Sequence, residues 1–394
     1  MNVEYANWLN ERLERKKEAS LYRQIKTLDG PQGPKVTRDG RILVNFSSND
    51  YLSMSRRPEV VEQLKLGADK FGVGSGASHL ISGHQVAHEK LQDTLKNWLG
   101  YSHVSLFSSG YQANLALMQA LFDKPDLIVH DKLNHASLID GMRLTDATNK
   151  RFMHCNVNSL KQQLNTSYRF KSVISDGVFS MDGDIAPLDD YQQALKETGA
   201  ILIVDDAHGL GVIGAYGTGT KGYFNFSEEE LPVLMGTFGK ALGTSGAFIA
   251  TNKLIGEVIT QFARPYIYTT ASSPALALAT QKSIEIIRND DERRSKLISN
   301  IQLFKSLAEL KSIPLMSSEA AIQPVLLYET ESCIACAQFL ESNNIWVGAI
   351  RPPTVKEGFA RLRITLNAEH QEKDIERLVQ LLDSWFKSNV SKVS

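Results

Sequence analysis

Two short stretches contain residues whose types and spacing suit carbonyl chemistry. Lys240 lies among glycines in the stretch 236–241, directly after the apolar run 232–235. A lysine amine delivered from a strand end among small residues can reach a carbonyl and form a Schiff base. Asp205 follows the aliphatic run 201–204, and ligands of open α/β sheets bind just outside the carboxyl ends of strands. A carboxylate at that edge can keep the ring nitrogen of a pyridine-type cofactor protonated.

The elements that must position these residues follow from the pattern around them. The 35-residue spacing between Asp205 and Lys240 fits two neighbouring strands with one connection. Strands and helices alternate from about residue 100 to 250, which predicts a mostly parallel α/β sheet. Beyond about residue 310, three predicted strands over 322–328, 346–350 and 361–366 and their helices indicate a small α+β unit. We therefore predict an N-terminal arm over 1–45, a large cofactor-binding α/β domain over 46–285 and a small C-terminal α+β domain over 286–394.

Composition excludes several classes of protein. The 394 residues are 42% hydrophobic and carry a formal net charge of −1. The chain therefore lacks the excess of positive charge that is typical of proteins that bind nucleic acid or an anionic membrane. No stretch approaches the roughly 20 apolar residues that span a bilayer, and no apolar signal region follows Met1. Three cysteines are a low, odd number that fits a reducing compartment. We expect a cytoplasmic protein with neither nucleic-acid nor membrane partners.

Two motifs have the spacing or composition of a cofactor or metal site, but we assign neither of them to such a site. Cys333 and Cys336 have the spacing of a redox or zinc motif, yet they lie in a predicted helix over 332–340 without a second ligand pair. We expect them to be buried small hydrophobic residues, and we predict no metal site. The glycine-rich stretch 72–84 lacks the strand-before, helix-after context of a dinucleotide fingerprint and the ending of a P-loop. It is interpreted as a substrate-channel loop near a dimer interface.

Two further positions could bind anionic groups. A predicted strand over 104–107 leads through small residues into a helix, so the amides of Gly110 and Tyr111 form a ready anion site. The alternative is a simple strand–helix turn. Arg363 lies on an alternating strand, where its planar fork suits bidentate binding of a carboxylate. The alternative for Arg363 is an ion pair with a surface acid.

Several motifs together resemble one enzyme family. Val-Asp-Asp-Ala-His-Gly at 204–209 and Thr-Phe-Gly-Lys at 237–240 resemble the core of the α-oxoamine synthases. These are fold type I enzymes that use pyridoxal 5'-phosphate (PLP) to condense an amino acid with an acyl thioester, with loss of carbon dioxide. The match extends from 45–52 to 361–365, and several motifs in the family's order are more specific than any one alone. The resemblance implies a fold type I PLP-dependent acyltransferase and a homodimer with shared active sites.

The resemblance also implies a role for individual residues. Lys240 would hold PLP and act as the base, Asp205 would keep the ring nitrogen protonated, and His208 would bond the phenolic oxygen. His135 would stack on the ring, and either Thr269 or Thr270 would reach the phosphate in the neighbouring subunit's site. The other implied residues are Gly110, Tyr111, Ser180 and Thr237 for the cofactor, and Arg23, Asn49, His135, Thr354 and Arg363 for the substrates.

Within the family, the motifs resemble one branch most closely. The stretches 74–80, 177–184 and 349–355 resemble the branch that joins L-alanine to a pimeloyl thioester of coenzyme A or acyl carrier protein, a step of biotin biosynthesis. Three alternatives stay open: the branch that uses glycine and acetyl-CoA, an inactive PLP-binding partner subunit, and an aminotransferase. Ser53 stands where the family usually has glycine, so a different local turn is expected there. Asp176 stands where glutamate is common.

Overall fold

A seven-stranded sheet forms the centre of the molecule. The computed structural model describes residues 1–196 and 198–389. The strand order in this sheet is β3-β9-β8-β7-β6-β4-β5. Strands β5, β4, β6, β7 and β8 are parallel, whereas β9 runs antiparallel to both of its neighbours. The strands of the sheet are β3 (His103–Phe107), β4 (Leu127–Asp131), β5 (Thr148–Phe152), β6 (Lys171–Asp176), β7 (Ile201–Asp205), β8 (Val233–Thr237) and β9 (Ala247–Thr251).

Both faces of this sheet are buried, as the aliphatic runs predict for parallel strands. Along β7, Leu202 and Val204 pack in one apolar cluster, whereas Ile203 packs in another on the opposite face. The same alternation occurs along β4, where successive side chains point to opposite sides. The prediction of a mostly parallel α/β sheet is confirmed.

Helices cover the sheet and connect its strands. The helix Val86–Leu99 ends at Gly100, whose φ of 68° lies in the left-handed region that glycine tolerates best. The predicted helix 332–340 spans Thr330–Ser342. The α-helices are α1 (Val3–Glu18), α2 (Pro58–Phe71), α3 (Val86–Leu99), α4 (Gly110–Leu121), α5 (Ala136–Arg143), α6 (Val157–Leu164), α7 (Leu188–Leu195), α8 (Gly219–Tyr223), α9 (Lys253–Phe262), α10 (Arg264–Ile267), α11 (Pro274–Asn289), α12 (Asp291–Leu310), α13 (Thr330–Ser342) and α14 (Glu372–Ser388).

Two three-stranded sheets lie outside the central sheet. Their orders are β1-β2-β11 and β10-β13-β12. One sequence prediction is wrong here: the segment 346–350 is not a single strand. Trp346 pairs with β2 in the first sheet, whereas Gly348 pairs with Arg363 in the second, so the chain changes sheets at Val347. The strands are β1 (Lys35–Arg38), β2 (Arg41–Asn45), β10 (Ile322–Tyr328), β11 (Ile345–Trp346), β12 (Gly348–Ile350) and β13 (Ala360–Thr365).

The predicted domain limits stay predictions. The limit between residues 285 and 286 falls inside α11, and the end of the small domain at 394 lies outside the described residues. A hairpin at Asp39 and Gly40 joins β1 to β2, and β2 also pairs with β11. No helix in the described part of the chain is long and apolar enough to cross a membrane.

Ser53 adopts the conformation that glycine would supply. Its φ of 52° and ψ of 37° lie in the left-handed region that glycine tolerates best, and the different turn expected from the sequence stays a prediction. The Ser53 hydroxyl donates to Asn367 Oδ1 at 2.8 Å, and Ser53 is buried. This hydrogen bond offsets part of the cost of positive φ in a residue with a Cβ.

Candidate active site

A cavity of about 190 Å³ lies at the carboxyl ends of β4, β6, β7 and β8, where the topology of an open α/β sheet places a ligand site. It brings together most of the predicted cofactor residues. The residues that line it are Gly110, Tyr111, His135, Ser137, Asp176, Ser180, Asp205, Ala207, His208, Met235, Thr237 and Lys240.

Lys240 reaches this cavity from the loop after β8. Its Nζ lies 2.7 Å from His208 Nε2. Burial lowers the pKa of Lys240 to about 8, although the negative charges of Asp205 and Asp176 oppose that change. A substantial fraction of the amine is therefore neutral near neutral pH, and a neutral amine is the form that attacks a carbonyl.

His208 continues a chain of hydrogen bonds that begins at Lys240. Burial and the adjacent Lys240 charge hold the pKa of His208 well below its usual range, so the ring is neutral. With Lys240 donating to Nε2, the proton lies on Nδ1 and is directed to Tyr51 Oη at 2.6 Å. The Tyr51 hydroxyl in turn donates to Asn49 Oδ1 at 3.3 Å. This order fixes the tautomer and the orientation of the His208 ring.

Asp205 is buried and held by two donors. Asn114 Nδ2 donates to Asp205 Oδ2 at 2.7 Å, and the backbone N–H of Ala207 donates to Oδ1 at 3.1 Å. Asn114 lies on α4, one turn after Gly110, and also donates to Ser137 Oγ at 2.8 Å. These contacts fix the Asp205 carboxylate at the cavity wall.

Asp176 is the second carboxylate in the cavity wall. Burial and the adjacent Asp205 raise the pKa of Asp176 well above its usual range. Its Oδ2 accepts the backbone N–H of His135 at 2.7 Å, and its own N–H donates to Asn134 Oδ1 at 3.1 Å. Asp176 thereby fixes the start of α5, where His135 is the N-cap residue and lines the cavity.

Arg363 on β13 lies at the edge of the same region. Its Nε donates to the carbonyl oxygen of Ser180 at 2.6 Å, and both terminal nitrogens lie 3.1 Å from Asn49 Oδ1. Arg363 is 8% exposed. Its partners are a neutral amide, a backbone carbonyl and, at 3.3 Å, the Thr365 hydroxyl, so the surface ion pair considered from the sequence is not what holds it.

A larger cavity of about 500 Å³ adjoins the first at Ser180. Thr354 lies in its wall, as the sequence predicted for the acyl-substrate region, and Arg361 forms an ion pair with Asp182 there. Much of the remaining wall is apolar: Leu133, Phe179, Met181, Met316, Val355 and Phe359.

His154, which sequence analysis did not single out, joins two loops beside this cavity. Its Nδ1 lies 3.0 Å from Asp131 Oδ1, and its Nε2 lies 2.9 Å from Asp184 Oδ2. Burial opposes the charge of the ring, but the hydrogen bonds to Asp131 and Asp184 outweigh it and raise the pKa of His154 to about 12. Asp131 ends β4, and Asp184 lies in the turn that carries Ser180.

Five predicted residues line neither cavity: Asn49 and Arg363 lie at the edge of the first, whereas Thr269, Thr270 and Arg23 lie farther away. Thr269 and Thr270 line a small separate cavity, in which Gln112 Nε2 donates to Thr269 Oγ1 at 2.7 Å. Arg23 lies in the exposed segment that follows α1. The predicted contacts of these residues with a partner's site or with the acyl substrate stay predictions. The cysteines behave as expected, because Cys333 and Cys336 are free and buried.

The donor set fits PLP. Lys240 offers an amine of lowered pKa to an aldehyde, and buried Asp205 offers an anion to a pyridinium nitrogen. The twelve-residue helix α4 begins at Gly110, which lines the cavity. The first N–H groups of the helix can therefore bind an anion there. A Cβ built on Gly110 would come no closer than 3.5 Å to Met235, so the open space at this helix end is not taken up by packing.

Comparison with known proteins defines the class first. Residues 41–382 match the family described as aminotransferase class I and II. Serine palmitoyltransferase from Sphingomonas wittichii superposes with a TM-score of 0.91 at 30% identity, over 99% of each chain. A variant of the serine palmitoyltransferase of S. paucimobilis, solved with a bound PLP–myriocin aldimine, gives a TM-score of 0.91 at 26% identity, over 98% of this chain and 99% of that one. The chain is a fold type I PLP-dependent transferase, and its cofactor is PLP.

Sequence relatives then define the particular enzyme. The 8-amino-7-oxononanoate synthase of Pseudomonas savastanoi pv. phaseolicola is 46% identical over 378 residues, which cover 96% of each chain. The enzyme of that name from Francisella tularensis superposes with a TM-score of 0.79 at 31% identity, over 88% of this chain and 99% of that one. The chain belongs to the 8-amino-7-oxononanoate synthases, the PLP-dependent acyltransferases of biotin biosynthesis.

Proposed function

We propose that this enzyme condenses L-alanine with a pimeloyl thioester of coenzyme A or acyl carrier protein. The products are 8-amino-7-oxononanoate, carbon dioxide and the free thiol. The observation that carries this proposal is the junction at Ser180, where a polar cavity containing Lys240 meets a larger cavity with a mainly apolar wall. Arg363 bonds the Ser180 carbonyl at this junction. An amino acid and an acyl chain could therefore meet within reach of one amine.

The cofactor would be held from four sides. Lys240 would bind its aldehyde carbon, Asp205 would hold the proton on its ring nitrogen, and the amides of Gly110 and Tyr111 would bind its phosphate. His135 would cover one ring face and exclude water from it. Ser180, Thr237 and His208 would complete the contacts from the cavity wall. When bound, PLP supplies an electron sink that stabilises negative charge on the Cα of an amino acid.

Lys240 is the proposed general base. Once the substrate amine has released it, Lys240 Nζ would take the proton from the L-alanine Cα. A pKa of about 8 suits this task, because a base is most effective when its pKa lies near the operating pH. The neutral ring of His208 accepts a hydrogen bond from Lys240 Nζ. This contact keeps the lone pair of the lysine amine directed to a fixed position.

Arg363 and Asn49 are proposed to bind the L-alanine carboxylate. Arg363 is nearly buried, and its two terminal nitrogens share the Asn49 oxygen, while one of them also donates to Thr365 Oγ1 at 3.3 Å. A carboxylate can replace these neutral partners with two charge-assisted hydrogen bonds. Because the Nε–Ser180 bond fixes the guanidinium plane, the bound carboxylate would fix the direction of the Cα–H bond relative to Lys240.

The larger cavity is proposed to take the acyl chain. Its volume of about 500 Å³ and its apolar wall suit a long methylene chain, with Thr354 as a polar contact. An acetyl group would leave most of this volume unfilled, which disfavours glycine and acetyl-CoA as the substrates. An aminotransferase has no acyl chain to bind, and an inactive subunit has no need for Lys240, Asp205, His135 and His208 around one cavity.

We further propose a homodimer with shared active sites in the cytoplasm. In such a dimer, Thr269 or Thr270 would bind the phosphate of the partner's cofactor, and Arg23 would contact the acyl substrate. Tyr5 and Trp8 on α1 are about half exposed, which supports a role for α1 in covering a second subunit. The three free cysteines suit a reducing compartment.

The test is thiol release by the PLP-loaded enzyme with four substrate pairs. L-alanine and glycine are each combined with pimeloyl-CoA and acetyl-CoA, and Lys240→Ala serves as the inactive control. Release mainly from L-alanine with pimeloyl-CoA is expected. A preference for glycine with acetyl-CoA would overturn the proposal. If all four pairs are silent, pimeloyl-acyl carrier protein is tested, and silence there would also overturn it.

A further inference from the structure

Three histidines lie together outside the active-site cavity. His79 and His84 belong to the glycine-rich loop before α3, and His88 lies in the first turn of that helix. One ring nitrogen from each lies within 4.8 Å of the others. His79 and His84 are half-buried, whereas His88 is fully buried. Imidazole is a common ligand of borderline transition metals, so this group has the composition of a metal site.

His88 has the hydrogen-bonding pattern of a metal ligand. Its Nε2 donates to the carbonyl oxygen of Ser272 at 2.8 Å. Metal-binding histidines usually donate their second ring N–H to a carbonyl or carboxylate, which fixes the tautomer. In His88 the lone pair is consequently on Nδ1, where it accepts the N–H of Gln85 at 3.0 Å. Gln85 is only half-buried, so water can take over that N–H when a metal binds Nδ1.

His79 and His84 need only a small movement to bind one ion. Their Nδ1 atoms lie 2.8 Å apart and share a single hydrogen bond. Two nitrogen ligands of a tetrahedral zinc ion, each about 2.0–2.1 Å from it, lie roughly 3.3 Å apart. The two rings would therefore separate by about half an ångström. Tyr266 stacks on His79 with an angle of 4° between the rings, and this contact supports the orientation of the His79 ring.

The three rings are neutral and so can act as ligands. Burial lowers the pKa of each of the three histidines, and that of His79 falls to about 3. The rings are thus neutral near pH 7, so the only proton that must leave a ligand atom is the one in the hydrogen bond between His79 Nδ1 and His84 Nδ1. An all-imidazole set suits zinc, nickel, copper or cobalt, whereas magnesium and calcium require oxygen ligands.

A second group of potential ligands in the described residues lacks this property. His154 lies near Asp131, Asp184 and Cys155, but both of its ring nitrogens already bond carboxylates. Its raised pKa means that the ring is protonated and has no lone pair for a metal.

We propose that His79, His84 and His88 bind one divalent transition-metal cation, with Zn²⁺ as the expected ion. The metal ties the glycine-rich loop to the start of α3 and replaces the hydrogen bond between two neutral rings with coordination. Within one chain, the site lies beside the small cavity that contains His79, Thr269 and Thr270 and not in the cavity of Lys240.

The test measures equilibrium binding of Zn²⁺ to the PLP-loaded enzyme produced without a histidine tag. Competition against a chromogenic chelator gives affinity and stoichiometry, and Co²⁺ gives the visible absorption bands of a tetrahedral nitrogen site. We expect one Zn²⁺ per chain in the wild type. In both His79→Gln and His84→Gln, affinity is expected to fall by at least about 100-fold, since loss of a ligand costs more than loss of an outer-shell contact.

Two matched variants control for other sites. His103→Gln removes a half-buried histidine that bonds Ser105 elsewhere in the chain, and Cys155→Ser alters the second group of potential ligands. Both should bind Zn²⁺ like the wild type. Absence of binding in the wild type, unchanged affinity in folded His84→Gln, or loss in Cys155→Ser would each overturn the proposal. Circular dichroism checks folding, and because no substrate is present, failure here does not bear on the condensation reaction.

Discussion

At the residue scale, the site depends on a few long-range contacts that place charged and neutral groups side by side. Lys240 lies against a histidine whose ring is kept neutral, and the opposite nitrogen of that ring is held by Tyr51. Neutral His208 adds no positive charge to the surroundings of Lys240. Burial is the main cause of the lowered pKa of the lysine, and the positive charge of Arg363 acts in the same direction.

The pKa of Lys240 predicts how PLP binding depends on pH. The neutral amine is the reactive form, and its fraction rises about tenfold per pH unit below the pKa. We expect the rate at which cofactor-free enzyme takes up PLP to rise with pH and to level off above about pH 8. An unperturbed lysine would give a rate that continues to rise beyond pH 10. Stopped-flow absorbance between pH 6 and 10.5 distinguishes the two.

Arg363 provides a second prediction at this scale. Arg363→Lys keeps the charge but loses the fork that can bond two carboxylate oxygens. We expect the KM for L-alanine to rise about 10- to 100-fold, as loss of a charge-assisted hydrogen bond costs about 1.5–3 kcal/mol. The KM for the pimeloyl thioester should change by less than about threefold. A larger effect on the thioester than on L-alanine in steady-state kinetics would contradict the proposed role.

At the scale of elements, the sheet topology does most of the positioning. Adjacent parallel strands bring Asp176, Asp205 and Lys240 to one edge, and this placement could be predicted because each follows an aliphatic run. Asn114 and Tyr51 were missed, since their partners lie 91 and 157 residues away and no local pattern indicates such contacts. The division of 346–350 between two sheets was missed because a short apolar run does not specify which strand it pairs with.

His154 provides a prediction about the loops between these elements. His154→Gln removes a cation from between Asp131 and Asp184, so we expect a loss of about 3 kcal/mol in the free energy of unfolding at pH 6. The pKa of His154 is raised in the folded state, so its stabilisation is complete below about pH 6.5 and declines as pH rises toward about 12.

Chemical denaturation between pH 6 and 10 provides the measurement. The difference between the wild type and His154→Gln should shrink as pH increases, whereas His103→Gln should show no such trend. A difference that grows with pH would contradict the assignment of His154 as a cation.

At the scale of the whole molecule, one chain contains both cavities but leaves some predicted residues away from them. Thr269 and Thr270 line a different cavity, and Arg23 lies on the exposed segment after α1. Similarity to a family could imply these roles. In a single chain, however, residues that serve the active site of a partner subunit lie away from that chain's own cavities. An isologous dimer would bring them to the second active site.

Hybrid dimers test that arrangement. Lys240→Ala is mixed, under conditions that exchange subunits, with a Thr269→Ala, Thr270→Ala double variant, at a PLP concentration where each variant alone is inactive. If the threonines serve the partner's site, half of the dimers are hybrids with one intact site. About a quarter of the wild-type activity should then return. No recovery, despite proven subunit exchange, would mean that the threonines do not act across the interface.

The central claim is that one cavity joins an acyl thioester to L-alanine with loss of the amino-acid carboxylate. The most direct measurement incubates the PLP-loaded enzyme with L-alanine labelled with ¹³C at the carboxyl carbon and with pimeloyl-CoA, and follows labelled carbon dioxide and free thiol together. We expect both to form at equal rates, only when both substrates are present, and neither to form with Lys240→Ala. Thiol release without labelled carbon dioxide, or conversion of L-alanine to pyruvate without thiol release, would contradict it.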